Sequence, residues 1–129
     1  MLVFYVAGKL ADREVINRDF IQRIEEQKFK ISYNWTHVEK EADNEEERAK
    51  YAELDIQGVR DCAILIVAIT DPEYEYRGTT TEMGAALGLG KKVYIVDPFD
   101  NSTFRKNIFA RHSLVKHVET LDEVLRECG

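Results

Sequence analysis

At 129 residues, 44% hydrophobic and 33% charged, the chain has the composition of one soluble globular domain that buries a core without disulfide or metal staples. Its net charge of −6 argues against polymeric nucleic acid as the main partner, which asks for a basic face, though not against a small anion held by a few local donors. The longest uncharged apolar run, residues 62–70, is far short of the ~20 needed to cross a bilayer, so no membrane partner is expected.

The N-terminus opens directly into an apolar segment, with no basic region before it and no small-residue cleavage site after it. It reads as a first strand over residues 2–7 and not as a signal peptide. Cys62 and Cys128 have neither disulfide-framework nor metal-knuckle spacing, so two free thiols in a reducing, cytoplasmic compartment are expected. Residues 12–29 then carry Val15, Ile16, Phe20, Ile21 and Ile24 at helical spacing. Residues 30–35 predict a second strand. The charged stretch 39–48 is a solvated loop or helix start, leading into a helix that ends near Arg60.

Residues 63–69 (AILIVAI) are apolar at every position, as a central parallel strand covered on both faces requires. A polar loop, 71–78, precedes a helix of small residues, 79–89, which Gly90 stops as its C′ residue. Residues 92–96 predict a fourth strand. Within 97–113, a stretch that matches no motif, a short helix is expected around 104–110. Residues 114–118 give a fifth strand and 121–128 a closing helix. This β-α-β-α order implies a parallel five-stranded sheet with right-handed crossovers, hence a three-layer, doubly wound α/β domain of flavodoxin/Rossmann-like type. Ligands of such folds bind outside the carboxyl ends of the strands near the topological switch point, which here means the loops 8–13 and 71–78.

Two carboxylates stand out. Thr79-x-x-Glu82 fits a capping box, with Glu82 reaching back to the N-cap amide. The same geometry places Glu82 in the first helical turn, where the helix dipole would keep it ionised, as suits a nucleophile. At 100° per residue, Asp55 falls inside an apolar arc formed by Ala49, Tyr51, Ala52, Leu54, Ile56 and Val59. A carboxylate there is costly unless it is paired with a base or has a raised pKa, and the second case suits proton donation near neutral pH. Tyr5 belongs to the first strand, close to the expected cleft, either as core or as part of the site. Lys9 and Arg13 follow that strand and could meet a phosphate, with surface charge as the alternative. Tyr33 and Trp35 are core residues or stacking platforms. Ala7-Gly8-Lys9 is neither a Walker A nor a GxGxxG motif. His37, His112 and His117 lack ligand spacing, and neither a metal nor a cofactor is expected.

Tyr5-Val6-Ala7-Gly8, Asp55 ahead of the 63–69 strand, and Gly78-Thr-Thr-Thr-Glu82-Met-Gly84-x-Ala86 followed by Gly90-Lys-Lys-Val together resemble the nucleoside 2-deoxyribosyltransferase family. That family includes relatives that hydrolyse 2′-deoxynucleoside 5′-monophosphates, and the resemblance spans roughly residues 2–96. It implies that Glu82 is the nucleophile, Asp55 the acid/base residue and Tyr5 the residue that orients Glu82. The reaction implied is cleavage or transfer at the N-glycosidic bond of a 2′-deoxynucleoside or its 5′-monophosphate through a covalent glycosyl-Glu intermediate. Gly8, Lys9, Arg13, Tyr76, Gly78 and Thr79 are the implied substrate-binding positions, and a homodimer or larger homo-oligomer is expected.

The chain also departs from the family pattern. Tyr76, with Glu75 beside it, stands where many members have an acid. The arginine next to the first strand is missing, and the end Glu127-Cys128-Gly129 is not the aromatic tail of the transferases. Hydrolase and transferase are both left open. The alternatives are a non-catalytic nucleotide-binding or sensing domain, and a glycohydrolase of ribonucleotides or NAD.

Overall fold

The computed structural model describes residues 2–99 and 102–129. Met1 and positions 100 and 101 of the 97–113 stretch lie outside the described residues. Five parallel strands form one sheet in the order β2-β1-β3-β4-β5: β1 (Val3–Gly8), β2 (Lys30–Ile31), β3 (Ile64–Ala68), β4 (Lys92–Val96) and β5 (Val115–Val118). This is the 2-1-3-4-5 arrangement of doubly wound α/β folds, whose switch point lies between β1 and β3. Those two strands run in register from Phe4↔Ile64 to Gly8↔Ala68. Every residue of β3 is buried, as expected for a central strand covered on both faces.

Two helices, α1 (Arg13–Ile16) and α2 (Gln22–Glu26), are joined by a π-helical turn, Asn17–Ile21, so the predicted single helix carries one widened turn. Ile16, Ile21 and Ile24 from this segment enter the core. The long helix α3 (Glu45–Asp61) is capped by Asn44, which accepts from the Glu47 amide. It packs against α4 (Arg77–Gly88). The closing helix α5 (Leu121–Cys128) begins with a full capping box, Thr120 and Glu123, and meets α2 through the Arg23–Asp122 ion pair. Among the described residues no helix is long and apolar enough to cross a membrane.

Three expectations are corrected. The second strand holds only Lys30–Ile31, because the chain turns out of the sheet beyond it. Asn34 caps a 3-10 turn, Trp35–His37, by accepting from the Thr36 amide, and the Trp35 indole N–H donates to the Val6 carbonyl at 2.6 Å. The small-residue helix starts at Arg77, two residues earlier than expected. Its N-cap is Tyr76, held in the left-handed region at φ 55°. Thr79 is therefore a buried residue of the first turn, and the proposed Thr79–Glu82 capping box does not form. The other end matches expectation. Gly90, at φ 74°, closes a Schellman motif in which its N–H reaches the Leu87 carbonyl and that of Lys91 the Ala86 carbonyl, at 3.0 and 2.9 Å. The 97–113 stretch holds two short 3-10 turns, Thr103–Lys106 and Ile108–Arg111, where a short helix was expected.

Candidate active site

A cleft of about 170 Å³ opens at the switch point, lined by Tyr5, Gly8, Trp35, Glu39, Asp55, Tyr76 and Glu82 among others. It draws on the carboxyl end of β1, the loop after β3 and the start of α4, the places the topology predicts. It also draws on the connection between β2 and α3, through Trp35, which the sequence offers as core or stacking platform, and through Glu39.

The floor of the cleft is Tyr5, fully buried in β1. Its hydroxyl donates to Glu82 Oε2. Tyr5 sits this deep because α3 presents no side chain at Gly58, where a Cβ would stand 2.8 Å from the Tyr5 ring and 2.9 Å from Tyr33 Cβ. Glu82 lies in the second turn of α4 and not in its first, so a helix-dipole account of its charge does not apply. Burial comes first and pushes its pKa up to about 8, the Asp55 charge adds to the rise, and the Tyr5 hydrogen bond opposes it. The negative charges and burial around Tyr5 in turn hold its own hydroxyl strongly protonated.

Asp55 reaches the same cleft from α3. Ala49 and Ala52 of its expected apolar arc are exposed. The inward face instead runs through Tyr51, Leu54, Asp55, Gly58 and Val59, an i, i+3, i+4, i+7, i+8 pattern. Asp55 has no basic partner, and its Oδ1 is buried with no hydrogen bond. Burial raises its pKa, as the sequence reading required of a proton donor.

Glu39 is the residue that reading missed. It sits at the head of a run of exposed charges, and nothing in its local sequence separates it from them. The Trp35–His37 turn fixes it, with the Glu39 N–H donating to the Trp35 carbonyl at 2.8 Å. Its side chain turns inward, leaving Oε1 buried and unpartnered. Burial, then Asp55, push its pKa up to about 9.

The expected substrate-binding residues divide. Gly8, Tyr76, Gly78 and Thr79 line the cleft, whereas Lys9 and Arg13 do not. Lys9 pairs with Asp71 at 2.9 Å and lies 4.7 Å from the centre of the Tyr74 ring, and this pairing raises the lysine pKa and lowers that of Asp71. Arg13 donates to the Leu10 carbonyl at 3.3 Å. The Tyr76 hydroxyl accepts the backbone N–H groups of Thr70 and Asp71, both at 2.9 Å, so it braces the cleft wall. Trp35 both lines the cleft and packs in the core. Tyr33 is half-buried, its hydroxyl unpartnered. Among the described residues no cluster of three His, Cys, Asp or Glu side chains is arranged to hold a metal ion.

A carboxylate bonded to a tyrosine, beside a second carboxyl group of raised pKa, can attack an electrophilic carbon while the neighbour delivers a proton to the leaving group. Comparison with known proteins bears on this arrangement. The family model described as nucleoside 2-deoxyribosyltransferase matches residues 4–120. Among solved structures, a CMP N-glycosidase of Clostridium botulinum superposes with a TM-score of 0.64 at 18% identity, over 98% of this chain and 96% of that one. A conserved protein of Enterococcus faecalis gives 0.63 at 17% identity, over the same 98% and 96%. At these identities the likeness is one of fold. A search of curated proteins finds no match.

Proposed function

Because the chain belongs to the nucleoside 2-deoxyribosyltransferase family, we propose that it acts as one catalytic domain that cleaves or transfers at the N-glycosidic bond of a 2′-deoxynucleoside. Membership supports N-glycosidic chemistry in general. The observation that carries the finer reading is the Tyr5–Glu82 hydrogen bond beside an unpaired Asp55. Glu82 attacks the anomeric carbon as an oxocarbenium-like transition state develops, and the Tyr5 hydroxyl aims the attacking carboxylate. Asp55 serves the departing base as acid and the incoming water or acceptor base as its proton acceptor.

One feature favours an uncharged nucleoside over its 5′-monophosphate. The cleft-lining residues include three carboxylates and, among the described residues, no Lys, Arg or His, and Lys9 is paired with Asp71. A phosphate would meet only like charge there. The cleft volume, about 170 Å³, is below the ~300 Å³ at which small-molecule pockets usually begin. We therefore expect a second copy of the chain to complete its wall.

The test is base release from 2′-deoxynucleosides and their 5′-monophosphates, with and without an acceptor base, by wild type and Glu82→Gln. Release that Glu82→Gln abolishes supports the reading, and acceptor dependence separates transferase from hydrolase. A folded wild type that releases no base would leave a non-catalytic nucleotide-binding domain.

A further inference from the structure

Three buried polar atoms have no ordinary donor–acceptor pairing: Glu39 Oε1 and Asp55 Oδ1, on residues that line the cleft, and the Tyr33 hydroxyl next to Glu39. Native folds keep few such atoms. Their positions are not accidents of a loose loop. Glu39 is tied through the Trp35 carbonyl and the Trp35 indole to the backbone of β1. Asp55 rides on α3, which Ser32 pins by donating to the Gly58 carbonyl at 2.7 Å.

The groups facing this pair are Tyr5 from β1, Tyr33 from the segment after β2 and Glu82 from α4. No cation is among them. Two carboxyl groups that face one another in such surroundings cannot both ionise readily, and they titrate as one unit.

We propose that Glu39 and Asp55 share a single proton across the cleft, and that this is the proton the departing base receives from Asp55. Glu39 is thus a positioning residue, whose carboxyl group keeps the shared proton within reach of Asp55 while Glu82 ionises. The proposal rests on the reading of Glu82 as nucleophile. As a Glu82 oxygen bonds to the anomeric carbon, the C–N bond breaks with its electron pair passing to the base nitrogen. That nitrogen takes the shared proton, leaving two carboxylates. The pair recovers a proton from the O–H or N–H of the acceptor as it attacks the same carbon and Glu82 departs, so the cycle closes without net proton gain. Burial is the first reason the proton stays, and it raises the pKa of both Glu39 and Asp55; the Asp55 and Glu82 charges push Glu39 further up.

Infrared titration of neutral carboxyl groups in the intact protein tests the sharing without any substrate. Wild type is expected to lose a carboxyl band near pH 9. Glu39→Gln and Asp55→Asn are each expected to abolish that transition, and Glu82→Gln to retain it. The pH profile of kcat/KM tests the use of the proton. For Glu39→Gln the alkaline limb moves down by about one pH unit or more, carrying the optimum below pH 8 and the peak down about tenfold. Retention of the transition near pH 9 in Glu39→Gln, or an unmoved alkaline limb, would overturn the proposal. If both amide variants abolish the transition but wild type releases no base from any nucleoside, the shared proton stands and its role in base departure falls with the nucleophile reading.

Discussion

Two buried carboxylate clusters sit at the carboxyl ends of neighbouring strands, and they are built on opposite terms. Asp97, just past β4, is fully buried and fully engaged. It accepts from the Phe99 N–H and the Arg105 Nε, each at 2.8 Å, and from the Ser102 hydroxyl. Arg105 also donates to the Phe99 carbonyl at 3.1 Å. In the cleft, Glu82 receives one bond from Tyr5, while Asp55 and Glu39 have only each other and, among the described residues, no cation. The first cluster spends its polar groups on holding a loop, so it stabilises the fold and has nothing left for a ligand. The second leaves its groups unspent, at a cost to stability, and that is the condition for chemistry.

The contrast is broken most severely at Glu82. Glu82→Gln should lower base release about 10⁴-fold or more, as removal of a nucleophile does, while its melting temperature equals or exceeds that of wild type. A large loss of stability with residual turnover would place Glu82 with the structural carboxylates. Asp97→Ala should do the reverse. Leaving the Phe99 N–H and the buried Ser102 hydroxyl without their acceptor costs about 1–3 kcal/mol, read as a lower urea midpoint, and activity per folded molecule should be kept.

Gly58→Ala tests whether the cleft depends on close helix approach. The new methyl would press on Tyr5 and Tyr33, costing about 1–3 kcal/mol through overpacking, and would shift the Tyr5 hydroxyl from Glu82. Stability and kcat should fall together, and kcat unchanged at reduced stability would count against the orienting role of Tyr5. The smallest effect is the pH dependence of stability. Glu82 has a folded pKa raised from 4.5 to about 8, so the folded state binds the proton more tightly than the unfolded one. Its contribution is therefore full below pH 4.5 and lost as pH rises through about 8. The melting temperature of wild type should fall relative to Glu82→Gln across that window, and parallel curves would show that Glu82 ionises as it does in water.

Much of this was legible in the residues. Lys92–Val96 and Leu121–Cys128 have the bounds that their apolar runs predict, because local pattern and tertiary role agree in them. Asp55 stood out as a charge on an inward helix face, and it lies there. The misses have physical causes. Glu82 resembled a cap because Thr79-x-x-Glu82 satisfies the capping pattern, but α4 is entered through a left-handed Tyr76, a device that leaves no side-chain signature at the N-cap. The second strand was read too long because Tyr33 and Trp35 favour strands, while Asn34 and the Trp35 indole bond draw the chain away. Glu39 was invisible because its burial comes from Trp35 being anchored to β1, a contact between distant parts of the chain. For Lys9 the sequence leaves a phosphate contact and plain surface charge both open, because it does not reveal that Asp71 lies beside it.

Tyr76 carries one more consequence. Its ring stands edge-on between Tyr74 and Phe104, with centroids 4.8 and 5.8 Å away, and its hydroxyl gathers the amides of Thr70 and Asp71. The loop after β3 is thus ordered before any substrate arrives. Entry into the cleft need not freeze that wall, so binding there forfeits little conformational entropy and arrival is not delayed by the closing of this loop.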